Sequence, residues 1–228
     1  MKVTSSDAKL PRGPHQLSRA EVLESQRGRL YVAMLDAVAE RGYQPVTVAD
    51  LVSRAQISRR TFYELFDTKE ECFAAAFELI VDLVGIRLNN AIRSAGQLDW
   101  EQLVRTSLTA YLTILTEEPA VGRALHIEAL IAGPPLIGYR RRMITLFADR
   151  MRAARALGVH EHAVSGELAD EVFEFLIGGI DDRIRDCLHT RGPGGLLDLE
   201  PGLSDIALLL LSSTGLPATP DPSVPQRH

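Results

Sequence analysis

Residues Thr47–Lys69 read TVADLVSRAQISRRTFYELFDTK, and the fold follows from how that stretch is punctuated. Val48, Leu51, Val52 and Ala55 recur at helical spacing, and Thr47 ahead of them is a suitable N-cap. Gln56-Ile57 makes a tight turn. Ser58 then caps a second short helix whose inward set is Phe62, Leu65 and Phe66. Arg59, Arg60 and Tyr63 fall on its opposite side. A short helix with adjacent arginines on the face its core does not use suits a DNA major groove, because a guanidinium fork bonds guanine O6 and N7 together. The spacing predicts a helix-turn-helix with its recognition helix at 58–66. Any two short amphipathic helices give a similar pattern, with Arg59-Arg60 as a solvated face, so the motif needs context.

The context is the run from Gly42 to Glu71, GYQPVTVADLVSRAQISRRTFYELFDTKEE. With Gly42-Tyr43 before a Thr-capped helix, then Ala55, Ile57-Ser58, Thr61-Phe62-Tyr63, Phe66 and Lys69-Glu70, it resembles the DNA-binding domain of the TetR family of bacterial one-component regulators. The resemblance implies that Thr47, Ser58, Tyr63 and Lys69 contact phosphate, with Arg59, Arg60 and Thr61 completing the DNA-binding surface. Lys69 also stands at a helix N-terminus, whose dipole favours anions. One position departs from the pattern: Gln56 stands where the family usually has glycine, the residue that tolerates a left-handed helix end. Either the turn changes or the glutamine costs stability.

The 228 residues are enough for a sizeable core and one or two domains. No apolar run is long enough to span a bilayer and MKVTSSDAKLPRG has no apolar leader core, so a cytoplasmic protein with no membrane role is expected. Cys72 and Cys187 lie far apart in helical patterns without a CxxC, as core residues do. A net charge of −5 looks unsuited to DNA until it is divided. Residues 1–71 hold 11 Lys+Arg and 10 Asp+Glu, whereas the other 14 and 20 leave the rest of the chain at −6. An acidic bulk away from the contact face permits phosphate binding.

Residues 1–17, with Pro11, Gly13 and Pro14, read as a flexible arm, and residues 18–68 as the DNA-binding domain. Its first helix covers 18–41, opened by Ser18 and Glu21 in a capping-box pattern, with Leu30, Tyr31, Met34, Leu35 and Val38 as its buried stripe. Thr68 caps a helix at about 69–94 that links head to body in the family. The body, residues 69–214, continues with helices at 99–116, 119–132, 135–157, 165–190 and about 203–213, the GPGGLLDLEPG stretch between the last two being a loop. The tail 215–228 carries four prolines and reads as disordered.

The last two helices are too apolar for a monomer's surface. Leu168, Val172, Phe175, Leu176, Ile180 and Ile184 make a stripe that Phe173 and Ile177 widen, Gly178-Gly179 would let another helix approach, and Leu208 and Leu211 lie in an all-apolar run at 206–211. In TetR-like proteins these helices form a four-helix bundle with their mates. A homodimer would present two recognition helices to a pseudo-palindromic operator in double-stranded DNA.

No catalytic template survives. His126-Ile127-Glu128 lacks the P-C-x-x-C of zinc deaminases, and His160-Glu161-His162 lacks a third metal ligand. Arg140-Arg141-Arg142 fan around one helix as a solvated face. Neither a metal nor a cofactor is expected, and no enzyme. Trp100, Tyr111, His126, Met143, Phe147 and Phe173 supply aromatic and polarizable surface for a mostly apolar pocket, or else an ordinary core. The sequence thus predicts an all-α, homodimeric transcriptional regulator, more often a repressor in this family, controlled by a small apolar effector. The rival is an adaptor of the same fold that has lost DNA binding and acts through protein contacts.

Overall fold

The computed structural model describes residues 19–213, and every regular element among them is helical. The expected arm at 1–17, the Ser18 cap and the tail at 215–228 lie outside the described residues. The head consists of α1 (Arg19–Arg41), α2 (Val48–Ala55) and α3 (Arg59–Leu65). In α1 the fully buried residues are Leu30, Met34, Ala37 and Val38, one helical stripe, with Tyr31 and Leu35 half-buried beside it. The chain leaves α1 through Gly42 at φ +76°, whose N–H bonds Val38 O at 2.9 Å. A left-handed residue here is what closes the helix end.

α4 (Lys69–Ala95) is the axis. Phe73, Ala76, Phe77, Ile80, Val81, Val84 and Leu88 are all buried along it, and it packs on α1 at one end and on α5 (Trp100–Glu117) and α8 (Pro134–His160) along the rest. Thr68 caps it by accepting from Glu71 N. α9 (Asp170–Thr190) packs on α8, and α10 (Glu200–Ser212) on α5. Cys72 and Cys187 are buried and unpaired, and burial pushes the Cys72 thiol up to about 12. No described helix is long and apolar enough to cross a membrane.

Three expectations need correction. The helix expected at 119–132 is broken into α6 (Pro119–Arg123), a π turn (Ala124–Glu128) and α7 (Ala129–Ile131), where Ala129 N–H reaches back to Ala124 O. One extra residue is thereby inserted into the helical register, a feature hydrophobic spacing does not reveal. The loop expected at 192–202 contains two short 3-10 turns, and α10 starts at Glu200, where Pro201 is compatible with a first helical turn.

The third correction concerns the stripe assigned to the dimer. Leu168 precedes α9, whose first residue is Asp170. Leu176, Ile180 and Ile184 are buried within the protomer, as is Leu211 on α10. A helix in a bundle must first cover a face against its own chain, and α9 does so with Phe173, Leu176, Ile177, Ile180, Ile184 and Cys187. What remains outside is a second, narrower face: Phe175 at 76% exposure and Gly179 on α9, with Val172 and Leu208 half-buried, and Leu209 at 72% on α10. A side chain added at Gly179 would meet nothing of the protomer within 4 Å.

Candidate functional site

The surface expected to meet DNA is assembled from local caps. Thr47 and Asp50 form a reciprocal box: Asp50 N donates to Thr47 Oγ1 at 3.2 Å and Thr47 N donates to Asp50 Oδ2 at 3.0 Å. Leu51 and Ala55 then bury the inner side of α2. Gln56 adopts φ 52°, ψ 49°, so the turn keeps the left-handed geometry that usually calls for glycine. Ser58 caps α3 by accepting from Thr61 N at 2.9 Å, and its hydroxyl lies 2.8 Å from that of Thr61. Phe62 is fully buried beneath, tilted against Phe66.

With α3 anchored from below, its outer residues are left to solvent. Arg59 is exposed, and Arg60 bonds only Glu64, Nε to Oε1 at 3.0 Å, with its side chain 89% exposed. Such a pair contributes a few tenths of a kcal/mol. Tyr63 is half-exposed and stands edge-on to the Phe62 ring at 5.4 Å. Thr47 and Ser58 are exposed, and Thr61 is intermediate. Lys69 differs from the rest. Its ammonium donates to Gln44 O at 3.2 Å and Val46 O at 2.9 Å, and lies 4.5 Å from the centre of the Tyr43 ring. It therefore fixes the loop that leads into α2.

Within the body a small cavity of about 40 Å³ lies between α4, α5, the π turn, α8 and α9. Tyr111, His126, Met143 and Phe147 line it as expected. Trp100 and Phe173 do not. Trp100 packs on Gly158, where an added Cβ would come within 2.9 Å of the indole, and its backbone N–H donates to Glu161 Oε2 at 3.2 Å. Phe173 lies under the Arg152 guanidinium at 5.1 Å.

Sequence reasoning missed the cavity's polar corner. Asp181, 3% exposed, accepts from His126 Nδ1 at 2.7 Å and pairs with Arg140 and with Arg185 at 2.9 Å. His126 Nε2 is 2.8 Å from the Tyr111 hydroxyl. An ionised Asp181 can only accept, so Nδ1 carries the hydrogen between them and Nε2 is left to the Tyr111 hydroxyl. Burial would raise the Asp181 carboxyl, but the His126 and arginine contacts outweigh it and hold the group below its usual range. Burial, aided by the Asp181 charge, pushes the Tyr111 phenol up, so it stays protonated. Arg140 is thus not part of a solvated face, whereas Arg141 is exposed. The available signal was spacing: Asp181 stands four residues from Ile177 on the stripe that α9 buries, and an acid on such a face needs a partner.

The π turn joins the cavity to the head. His126 on it faces the cavity, and Glu128, two residues on and 1% exposed, faces the other way. Glu128 accepts from Tyr43 N at 2.8 Å and from Arg123 Nε at 2.9 Å. Tyr43 in turn stacks on Phe73 at 5.0 Å, and its hydroxyl donates to Glu70 at 2.7 Å, both on α4. Gln44 Nε2 donates to Ile131 O at 3.1 Å alongside. No group of three or more His, Cys, Asp or Glu among the described residues is placed to hold a metal.

Residues 33–76 match the family model described as bacterial regulatory proteins, tetR family. Over 177 residues the chain is 27% identical to the HTH-type transcriptional regulator EthR of Mycobacterium tuberculosis, covering 73% of this chain and 81% of that protein. It is 24% identical over 137 residues to the HTH-type transcriptional activator FasR of Mycolicibacterium smegmatis, covering 60% and 61%. Among solved structures, FadR from Bacillus subtilis in complex with stearoyl-CoA superposes with a TM-score of 0.67 at 13% identity, over 79% of this chain and 96% of that one.

Proposed function

We propose that this chain, a member of the tetR family of bacterial regulatory proteins, is a transcriptional regulator that binds operator DNA as a homodimer and is controlled by a small-molecule effector. The observation that carries the DNA-reading part is the outer face of α3: two arginines and a tyrosine stand in solvent on a helix whose opposite face is anchored by Phe62. Arg59 and Arg60 are the base-reading residues, with Thr61 beside them, and Thr47, Ser58 and Tyr63 contact phosphate. Lys69 contributes to phosphate binding and also holds the α2 loop through Gln44 and Val46. The exposed apolar face formed by Phe175, Gly179 and Leu209 is the dimer contact, with Val172 and Leu208 at its edges.

Control is a population shift between a head arrangement that fits the operator and one that does not. The strut for it is the π turn. A ligand that moves His126 perturbs the segment that carries Glu128, and through Tyr43 the junction of the head with α4. Capture of genomic fragments by the full chain, followed by sequencing at 50 and 200 mM salt, tests the reading. Enrichment of a pseudo-palindrome that survives the higher salt is expected. Enrichment of none, with any effector tried, favours an adaptor working through protein contacts instead.

A further inference from the structure

Two side chains of α8 stand between the cavity and a neighbouring groove. Phe147 and Arg150 line the cavity on one side and, on the other, an open groove between α4 and α8. Arg150 is held there by neutral acceptors of α4, Asn89 Oδ1 at 2.8 Å and Gly85 O at 3.3 Å. Nearby arginines find carboxylates: Arg142 pairs with Glu78, Arg87 with Glu117, and Arg152 with Asp149 and Asp170. Asp149, beside Arg150 in sequence, is therefore already engaged. Asp82, which also lines the groove, makes no ion pair among the described residues and stands exposed. Burial pushes the Arg150 guanidinium down, the mark of a cation removed from water without a counter-charge. A carboxylate offers such a fork two oxygens at once and a stronger bond than a carbonyl.

Behind Arg150 the cavity's accessible wall is apolar, with Leu88, Leu108, Met143 and Met151 contributing. Its volume of about 40 Å³ holds only a few waters. Any organic ligand must widen it, and the side it shares with the open groove is the Phe147–Arg150 partition. Widening there separates α8 from α4, the helix that enters the head.

We propose that the effector is an amphipathic organic anion that enters between α4 and α8, places its apolar body in the cavity and pairs its carboxylate with Arg150. This rests on the reading of the body as an effector site. The carboxylate replaces Asn89 and Gly85 as partners of Arg150, so head-group recognition and release of α8 from α4 are one event. The apolar wall excludes a ligand charged at both ends.

The test uses the full chain and matched probes that differ only in the head group: octanoate with 1-octanol, and 4-phenylbutyrate with 4-phenyl-1-butanol. Calorimetric titration at pH 7.5 is run on wild type, Arg150→Met and the cavity-filling Leu108→Phe, each first checked for native helicity. In at least one pair the acid is expected to bind at least tenfold more tightly than its alcohol. Arg150→Met should bring that acid to the affinity of the alcohol and leave the alcohol unchanged, while Leu108→Phe should weaken both. Equal affinities within both pairs, binding of neither acid, or an equal loss of acid and alcohol in Arg150→Met would overturn the anion proposal. If the alcohols still bind and Leu108→Phe still blocks them, the effector cavity stands without it. If Leu108→Phe leaves every affinity unchanged, the cavity itself is not the effector site and both readings fall.

Discussion

In α3 the polar groups that matter stand in solvent, and a few contiguous residues put them there. At the cavity they are buried, and α5, the π turn, α8 and α9 must come together to place them. Arg60 spends its charge on one exposed glutamate, whereas Asp181 is enclosed by His126, Arg140 and Arg185. The first arrangement is free to exchange partners with DNA. The second is costly to disturb, because an unmatched buried group has no water to turn to. A regulator needs both: a face that gives up solvent readily, and a core that registers a ligand by changing its packing.

The largest effect should come from forcing charge into the body. Ile180 is 6% exposed and lines the cavity. Ile180→Asp is expected to cost about 3–5 kcal/mol, the penalty of an uncompensated buried charge, and to lose cooperative unfolding by circular dichroism. Phe175→Asp, at a position 76% exposed, should keep its fold and sediment as a monomer. A folded monomer from Ile180→Asp together with an intact dimer from Phe175→Asp would reverse the two faces of α9.

Next is the polar corner. Asp181→Asn keeps the shape but removes the charge that two arginines and His126 share, at a cost of about 1.5–3 kcal/mol. Because the folded Asp181 carboxyl lies below its unfolded value of about 3.9, its contribution is complete above that value. It is lost as pH falls through the lower, folded value. Urea unfolding from pH 7 to 3 should therefore show wild type and variant converging at the acid end. A gap independent of pH would mean that the carboxyl is not ionised in the native protein.

Replacing both Arg59 and Arg60 with alanine tests the other region. An arginine bidentate to guanine supplies about 1–3 kcal/mol of discrimination at one base pair. The double variant should flatten preference in a randomised-site selection more than it weakens non-specific binding. Its melting temperature should stay within a few degrees, since only the exposed Arg60–Glu64 pair is lost. Unfolding would show that these side chains have a structural role.

The same contrast explains what was legible in the sequence. Helix caps and short-range stripes are local, so Thr47, Ser58 and Thr68 and the buried residues of α1 and α4 could be placed from spacing alone. In the body, spacing showed that α9 is apolar on more than one face but not which face its own protomer covers. That is why Leu176, Ile180 and Ile184 were assigned outward while Phe175 alone of that row is fully exposed. Asp181 and Glu128 were missed because His126 and Tyr43, the partners that tie them to the cavity and the head, lie 55 and 85 residues away. The π turn was missed because an inserted residue leaves the hydrophobic count of the segment unchanged.

The smallest expected effect lies at Gln56, where the head departs from the pattern of the family it resembles. Gln56 holds φ 52°, ψ 49°, so the turn has kept its geometry and the side chain bears the strain. A left-handed conformation costs an L-residue about 1–2 kcal/mol. Glycine removes that cost but loses about 0.4–1 kcal/mol through the greater freedom of its unfolded chain. Gln56 is exposed and its side chain makes no hydrogen bond among the described residues, so no packing term opposes the change. Gln56→Gly should stabilise the protein by about 0.5–1 kcal/mol, a rise of about 1–4 °C in Tm for a chain of this size. Its selected DNA sequence should be unchanged, because Ile57 N still bonds Val52 O and Ser58 still caps α3. A stabilised variant with an altered sequence preference would show that the strained turn sets the angle at which α3 meets the groove, and that the glutamine is kept for reading rather than tolerated.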